Sequence, residues 1–350
     1  MNDTILNSRQ QQILEILKEN GSLSRFDLSR LLVFKKETSR ITVIRDLKEL
    51  VKLGFVTAYG KGRATRYGLV KINPLLEYID MDRYFQTDPD QRGIKPSFNK
   101  NVYSHLYSLY SRQEIELWEK GSKIFKQGKE KLDPSIYKRE LERFVIELSW
   151  KSSQIEGNTY SLIETETLIK QNVRAHGHPE EEAVMILNHK DAFKTIIDKK
   201  AAFRKLDFSD VVQLHNVLTK GLVTSGVRWQ KVRITGTAYE PLSNKHELEN
   251  ALRKLIKHIN ATKYPPEKAL ILAAMIAYLQ PFADGNKRTA RMLGNAVLMA
   301  YDYFPLSYRN VDVNEYRSAM IIFYETNNLF NFKRIFMNQL EFAMKNYFRN

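Results

Sequence analysis

Apolar residues recur at helical spacing through most of the chain, and the interruptions mark its organisation. Over 6–17, Ile13, Leu14, Ile16 and Leu17 form one stripe, and Glu19-Asn20-Gly21 supplies a stop. Ser24 then precedes Phe26, Leu28, Leu31 and Leu32, a second, short helix whose first N–H groups the serine can cap. A third helix over 39–53 sets an apolar group (Ile41, Ile44, Leu47, Leu50, Val51) against a basic one (Arg40, Arg45, Lys48, Lys52). After Gly54 the period falls to two over 55–59 and again over 64–69, around the tip Gly60-Lys61-Gly62-Arg63, which predicts a hairpin with a basic, glycine-rich turn.

Three helices followed by such a hairpin predict an α+β winged-helix domain over 1–72. Residues 73–131, with the turn signals Asp88-Pro89-Asp90 and Gly93-Ile94-Lys95-Pro96, read as a linker and a connecting helix near 106–125. Asp133-Pro134 opens a helix whose buried stripe is Ile136, Leu141, Phe144, Val145 and Leu148. Further helices are predicted over 161–171, 179–197, 208–219, 244–259, 266–279, 286–300, 313–324 and from 329 onward, so the domain over 132–350 is mainly α. The exception is 227–241, where Val232-Arg233-Ile234-Thr235-Gly236-Thr237 alternates like a short strand turning at glycine: a flap between helices.

Charge changes this picture in one place and broadens it in another. The chain carries 55 basic and 40 acidic residues, a formal +15 that favours a polyanionic partner such as nucleic acid, a nucleotide or a membrane surface. Residues 1–70 hold 13 basic and 7 acidic residues, a net +6. Their concentration on the third helix and the hairpin tip suits phosphate tracking along DNA. Cysteine is absent, which excludes disulfides, thiolate nucleophiles and Cys-based zinc sites. The start of the chain lacks a secretory pattern and the longest apolar run, 269–279, is too short for a bilayer, so a cytoplasmic location without membrane insertion is expected.

The chemistry concentrates in Gln280-Pro281-Phe282-Ala283-Asp284-Gly285-Asn286-Lys287-Arg288-Thr289-Ala290-Arg291, between two apolar helices. Pro281 ends the first helix and Gly285 lets backbone approach a ligand, while the free N–H groups opening the second helix favour an anion. Asn286, Lys287 and Arg288 add donors there, and Arg291 lies one turn beyond Arg288. Cations at a helix N-terminus oppose its dipole, so an expected polyanion gives them a reason to be present. Asp284 is a hard oxygen ligand suited to magnesium.

This segment resembles the Fic motif, in which His, Pro-Phe, an acidic residue, Gly-Asn, Gly or Lys, and two Arg follow at this spacing. Ser152-Ser153-Gln154-Ile155-Glu156-Gly157-Asn158 resembles the Fic inhibitory helix (near 150–158), and 227–241 resembles the target-binding flap. The resemblance covers about 133–348. It implies ATP with Mg²⁺, transfer of AMP to a hydroxyl of a protein target (this chain itself included), and nucleotide contacts from Gly285, Asn286, Lys287, Arg288 and Arg291 with Asp284 on the metal. It also implies a Glu156–Arg291 salt bridge that blocks the γ-phosphate position, with Ser152 steadying the helix, and strand addition of a target along Val232, Ile234 and Gly236. Lys287 resembles the Doc branch, which transfers phosphate; Arg291 resembles the AMP-transferring one.

Gln280 stands at the motif His. A carboxamide cannot accept a proton near pH 7, and loss of general-base help is worth ~10²–10⁴ in rate. No other His borders the cradle in sequence: His215, His246 and His258 read as structural or exposed. Separately, Ser39-x-x-Thr42-x-x-Arg45-Asp46-Leu47-x-x-Leu50-x-x-x-Gly54 resembles the helix-turn-helix of DeoR-type regulators, which implies DNA contacts from Arg40, Thr42, Arg45 and Lys48, with Lys61 and Arg63 at the hairpin tip. Two functions follow: an autoinhibited protein adenylyltransferase, weak or inactive for want of the His, or a catalytically dead, nucleotide-sensing DNA-binding regulator. A homodimer is compatible with either.

Overall fold

A computed structural model describes residues 6–32, 40–70 and 73–348, without the side chains of Arg40 and Arg63. The chain forms two compact units, Met1–Asp80 and Met81–Asn350.

In the first unit, α1 (Ser8–Asn20) opens on a capping box in which Asn7 and Gln10 satisfy each other's backbone N–H groups. Ser24 caps α2 (Arg25–Leu31), as its position predicted. The third helix, α3 (Arg40–Lys52), follows. β1 (Leu23–Ser24), β2 (Val56–Tyr59) and β3 (Arg66–Leu69) form an antiparallel sheet in the order β1-β3-β2, with Val56 opposite Leu69 and Leu23 opposite Tyr67. Leu6, Ile13, Leu17, Leu28, Val43, Leu47, Leu50 and Val56 make the core.

The apolar stripe of α3 is rotated from the expected one. Val43, Leu47 and Leu50 are buried, whereas Ile41 is 77% exposed and Val51 39%. Buried Asp46 pairs with Arg9 of α1, fixing which face turns inward and leaving Arg45 in solvent. Phe26 of α2 is likewise exposed.

The second unit begins with a short turn, α4 (Met81–Tyr84), and an irregular strap to residue 111. The strap is hydrogen-bonded into the helices: Asn99 N–H donates to the Tyr278 hydroxyl at 2.9 Å, and Leu109 N–H to Glu267 at 2.6 Å. The helix expected near 106–125 starts later, as α5 (Arg112–Lys131), because Ser111 and Glu114 form a capping box there.

Then follow α6 (Pro134–Ile155), α7 (Leu162–Gln171), α8 (Glu180–Asp198), α9 (Phe208–Leu218), α10 (Lys245–Ala261), α11 (Pro265–Leu279), α12 (Asn286–Ala300), α13 (Val313–Thr326) and α14 (Phe330–Asn346). Hydrophobic all round, α11 is buried along nearly its whole length, and α12 packs beside it. The stripe of α6 differs from expectation at its start, where Ile136 is exposed. Farther along, buried Glu147 accepts from the Tyr347 hydroxyl and pairs with Arg309 at 2.7 Å, so this helix is held at a charged position as well. Among the described residues no helix is long and apolar enough to cross a membrane.

Candidate active site

The loop between α11 and α12 is built by side chains bonding to backbone. Gln280 ends α11 in the left-handed region, at φ 48°. Its amide nitrogen donates to Ala277 O at 2.6 Å, and its amide oxygen accepts from Asn286 Nδ2 at 2.9 Å. Asn286 also brackets Phe282, accepting from its N–H at 2.9 Å and donating to its carbonyl at 2.8 Å. Gly285 has φ 75°, and a Cβ there would lie 2.6 Å from the Thr219 methyl, so only glycine fits. The free N–H groups of α12 start directly after it, with no side-chain cap.

His215, distant in sequence and expected to be structural or exposed, is buried against this loop. Its ring stacks on Phe282 at 3.7 Å between centroids, and its Nε2 donates to the Asp284 carbonyl at 3.0 Å. Burial lowers its pKa, so the ring is neutral, and it acts here as a prop under the loop. Arg228 is the second support that sequence did not single out. Nearly fully buried, it donates from Nε to Gln280 O at 2.7 Å, from Nη1 to Gln230 O at 2.6 Å, and from Nη2 to Leu242 O, and its backbone N–H reaches Pro281 O at 3.0 Å.

The cations sit at the start of α12, one turn apart. Arg288 is 2% exposed; its Nη2 pairs with Asp284 at 2.6 Å, while its buried Nη1 has no partner among the described residues. A buried, unsatisfied guanidinium N–H is costly, and an anion at the helix start would satisfy it. Asp284 itself is 64% exposed and open to a cation. Among the described residues no group of three or more His, Asp or Glu could hold a metal, so a magnesium ion here would take its remaining ligands from phosphate and water.

Arg291 is fully buried and donates to Ser152 twice, from Nε to the hydroxyl at 3.0 Å and from Nη2 to the carbonyl at 2.8 Å. Its Nη2 also meets Glu156 Oε1 at 2.8 Å, and Lys287 Nζ meets Glu156 Oε2 at 2.9 Å. Each oxygen of one carboxylate is thus held by a different cation of α12. Burial alone would raise the pKa of Glu156, but Arg291 and Lys287 outweigh it and bring the carboxyl down to about 2.

Behind Ser152 stands His189, another residue the sequence reading passed over. Its Nε2 lies 2.8 Å from the Ser152 hydroxyl and its Nδ1 2.8 Å from Met185 O. Burial is the main cause holding its pKa down at about 3. With Nδ1–H donating to Met185, Nε2 accepts the Ser152 proton, and Ser152 is free to accept from Arg291.

Among the described residues the two limbs of the flap do not pair with each other and its bridge is Glu240 with Ser97, so the expected short strand turning at glycine is not formed. The flap runs to a turn at Gly236 (φ 85°), where a Cβ would press on Ile321 at 3.3 Å. Val232 and Ile234 are half-buried, and alternation without a paired edge does not make a ladder. The DNA-contact candidates lie in the other unit. There Arg45, Lys48 and Lys61 are exposed and Thr42 is half-buried; the side chains of Arg40 and Arg63 fall outside the described residues.

In this helical unit a glycine-primed, uncapped helix start gathers buried cations. Residues 205–298 match the model of the Fic/DOC family. Among curated relatives, "Protein adenylyltransferase Fic" of Nematostella vectensis is 26% identical over 188 residues, 51% of this chain and 43% of that protein. The protein of the same name from Culex quinquefasciatus is 26% identical over 183 residues, 50% of this chain and 36% of that protein. The chain therefore spans less than half the length of these relatives. Among solved structures, Fic-1 (residues 134–508) of C. elegans superposes with a TM-score of 0.57 at 18% identity, covering 67% of this chain and 72% of that one. A Fic domain containing signaling protein from Bacteroides thetaiotaomicron superposes with 0.53 at 21% identity, covering 67% and 95%. The helical unit has the Fic fold.

Proposed function

We propose that this chain is an autoinhibited, catalytically weakened protein adenylyltransferase, which binds ATP at the start of α12 and transfers AMP to a protein hydroxyl. The observation that carries this reading is the unpartnered Arg288 Nη1 beside the uncapped helix start, next to cations that Glu156 engages in place of a phosphate. The names of the matched relatives supply the reaction type.

Gly285, Asn286, Lys287, Arg288 and Arg291 hold the phosphates, and Asp284 holds magnesium, which when bound neutralises phosphate charge. Glu156 occupies both Lys287 and Arg291, so the γ-phosphate must displace it. Gln280 can orient a hydroxyl but cannot take its proton, and its amide is already bonded to Ala277 and Asn286. Transfer then rests on orientation and charge stabilisation. The three-stranded sheet and exposed Arg45, Lys48 and Lys61 support a winged helix that binds duplex DNA. The inward-bonded Gln280 favours a second reading, in which the site senses nucleotide for that DNA-binding unit.

Mass spectrometry for added AMP, on the wild type, Gln280→His, Glu156→Gly and the double variant at matched ATP, tests the proposal. The double variant modifies protein and the wild type does so weakly or not at all. ATP binding by the double variant without any transfer sinks the transferase reading and leaves the sensor.

A further inference from the structure

The two limbs of the flap differ in what already covers them. On the far limb, Glu240 N–H donates to Pro96 O at 2.8 Å and Glu240 bridges Ser97 in parallel fashion. Arg92, 5% exposed, reaches from the same strap to Gly236 O at 3.2 Å, and is itself held by Glu325 at 3.0 Å. Tyr239 is buried, with its hydroxyl on Tyr278 O at 2.9 Å. The strap thus takes the backbone edge from the turn onward.

The near limb is bare. Over 231–234 the chain is in neither helix nor strand before the turn at 235–236, and none of the backbone hydrogen bonds found among the described residues involves 231–235. Val232 and Ile234 are half-buried, and Lys231 and Arg233 alternate with them as exposed side chains without an acidic partner among the described residues. Its base is rigid: Arg228 ties it to Gln280 O and Pro281 O.

We infer that the near limb alone receives the target, and that it selects an extended, acidic protein segment. Resting on the transferase reading, this names the substrate class of its flap. Backbone pairing along 231–235 supplies sequence-independent affinity, and Lys231 and Arg233, two residues apart on one face, set the sign of charge opposite them. The strap closes the other limb, which limits pairing to about five residues, a typical strand length.

The test is fluorescence anisotropy with the full chain and two labelled peptides, one alternating Glu with Val and one alternating Lys with Val, without nucleotide. The Glu peptide binds at least about tenfold more tightly than the Lys peptide, and Lys231→Glu with Arg233→Glu reverses the ranking. Single changes Lys231→Gln and Arg233→Gln each weaken the Glu peptide severalfold, and backbone N-methylation of that peptide abolishes binding. Equal affinity for the two peptides overturns the inference, as does an unchanged ranking in the reversed variant or displacement of the Glu peptide by a DNA oligonucleotide at 231–235. Because no ATP is present, these outcomes are read separately from any failure of AMP transfer.

Discussion

The cations of the helical unit and those of the first unit carry the same charge under opposite conditions. Arg288 and Arg291 are almost wholly buried and are fixed by Asp284, Ser152 and Glu156, with Lys287 drawn onto the same carboxylate. Arg45, Lys48 and Lys61 stand in solvent. Fixed, desolvated cations act on one anion of defined shape; solvated ones sum into a surface field that salt screens. One net charge therefore covers two electrostatic settings.

The widest test of the contrast is removal of a buried cation. Arg291→Ala strips donors from Ser152 and half the neutralisation from Glu156, and unfolding in urea shows a loss of about 3–5 kcal/mol, the range for breaking a buried pair. A loss below about 1 kcal/mol would put Arg291 with the surface charges. Acid sharpens the same point. The folded carboxyl of Glu156 titrates at about 2 against an ordinary 4.5, so its stabilisation is full above the unfolded value and disappears as pH falls from 4.5 toward 2. Glu156→Gln is thus less stable than wild type at pH 7, by roughly 2–4 kcal/mol, and the two converge near pH 2. Parallel stability curves across that window would contradict the assignment.

For the exposed cations the expected effects are smaller and depend on salt. Lys48→Ala weakens duplex DNA binding uniformly across sequences and lowers the salt slope by about 1, as loss of one phosphate contact does. A salt-independent loss would mean that Lys48 acts in another way. The smallest effect belongs to the surface pair Lys18–Glu77, 3.1 Å apart with both side chains more than half exposed. A double-mutant cycle there gives about 0–1 kcal/mol, vanishing in high salt.

The cations at the start of α12 and the Glu156–Arg291 contact were legible in the sequence because Ser152, Glu156 and 280–291 are short strings in which each residue type has a local reason to be there. What props them was not. Arg228 reaches Gln280 O across 52 positions, and His189 reaches Ser152 from a helix with no chemical signature of its own. His215 looked remote because it is 69 positions from Asp284, yet it stacks beneath the loop. In the flap, alternation of Val232 and Ile234 read as a strand, but period two describes side-chain facing and not backbone pairing. On α3 the apolar set included Ile41 because helical periodicity allows two neighbouring stripes; the buried Asp46–Arg9 pair selected the one containing Val43.

The claim on which the rest depends is that Glu156 stands where a phosphate would, on Lys287 and Arg291. Calorimetric titration of ATP with magnesium into the wild type and Glu156→Gly measures this directly. The variant binds more tightly by roughly 1–3 kcal/mol, as expected for charge-assisted hydrogen bonds exchanged between partners, and Arg288→Ala in the same background weakens it again. Equal affinity of wild type and Glu156→Gly, with ATP bound by both, would contradict the account.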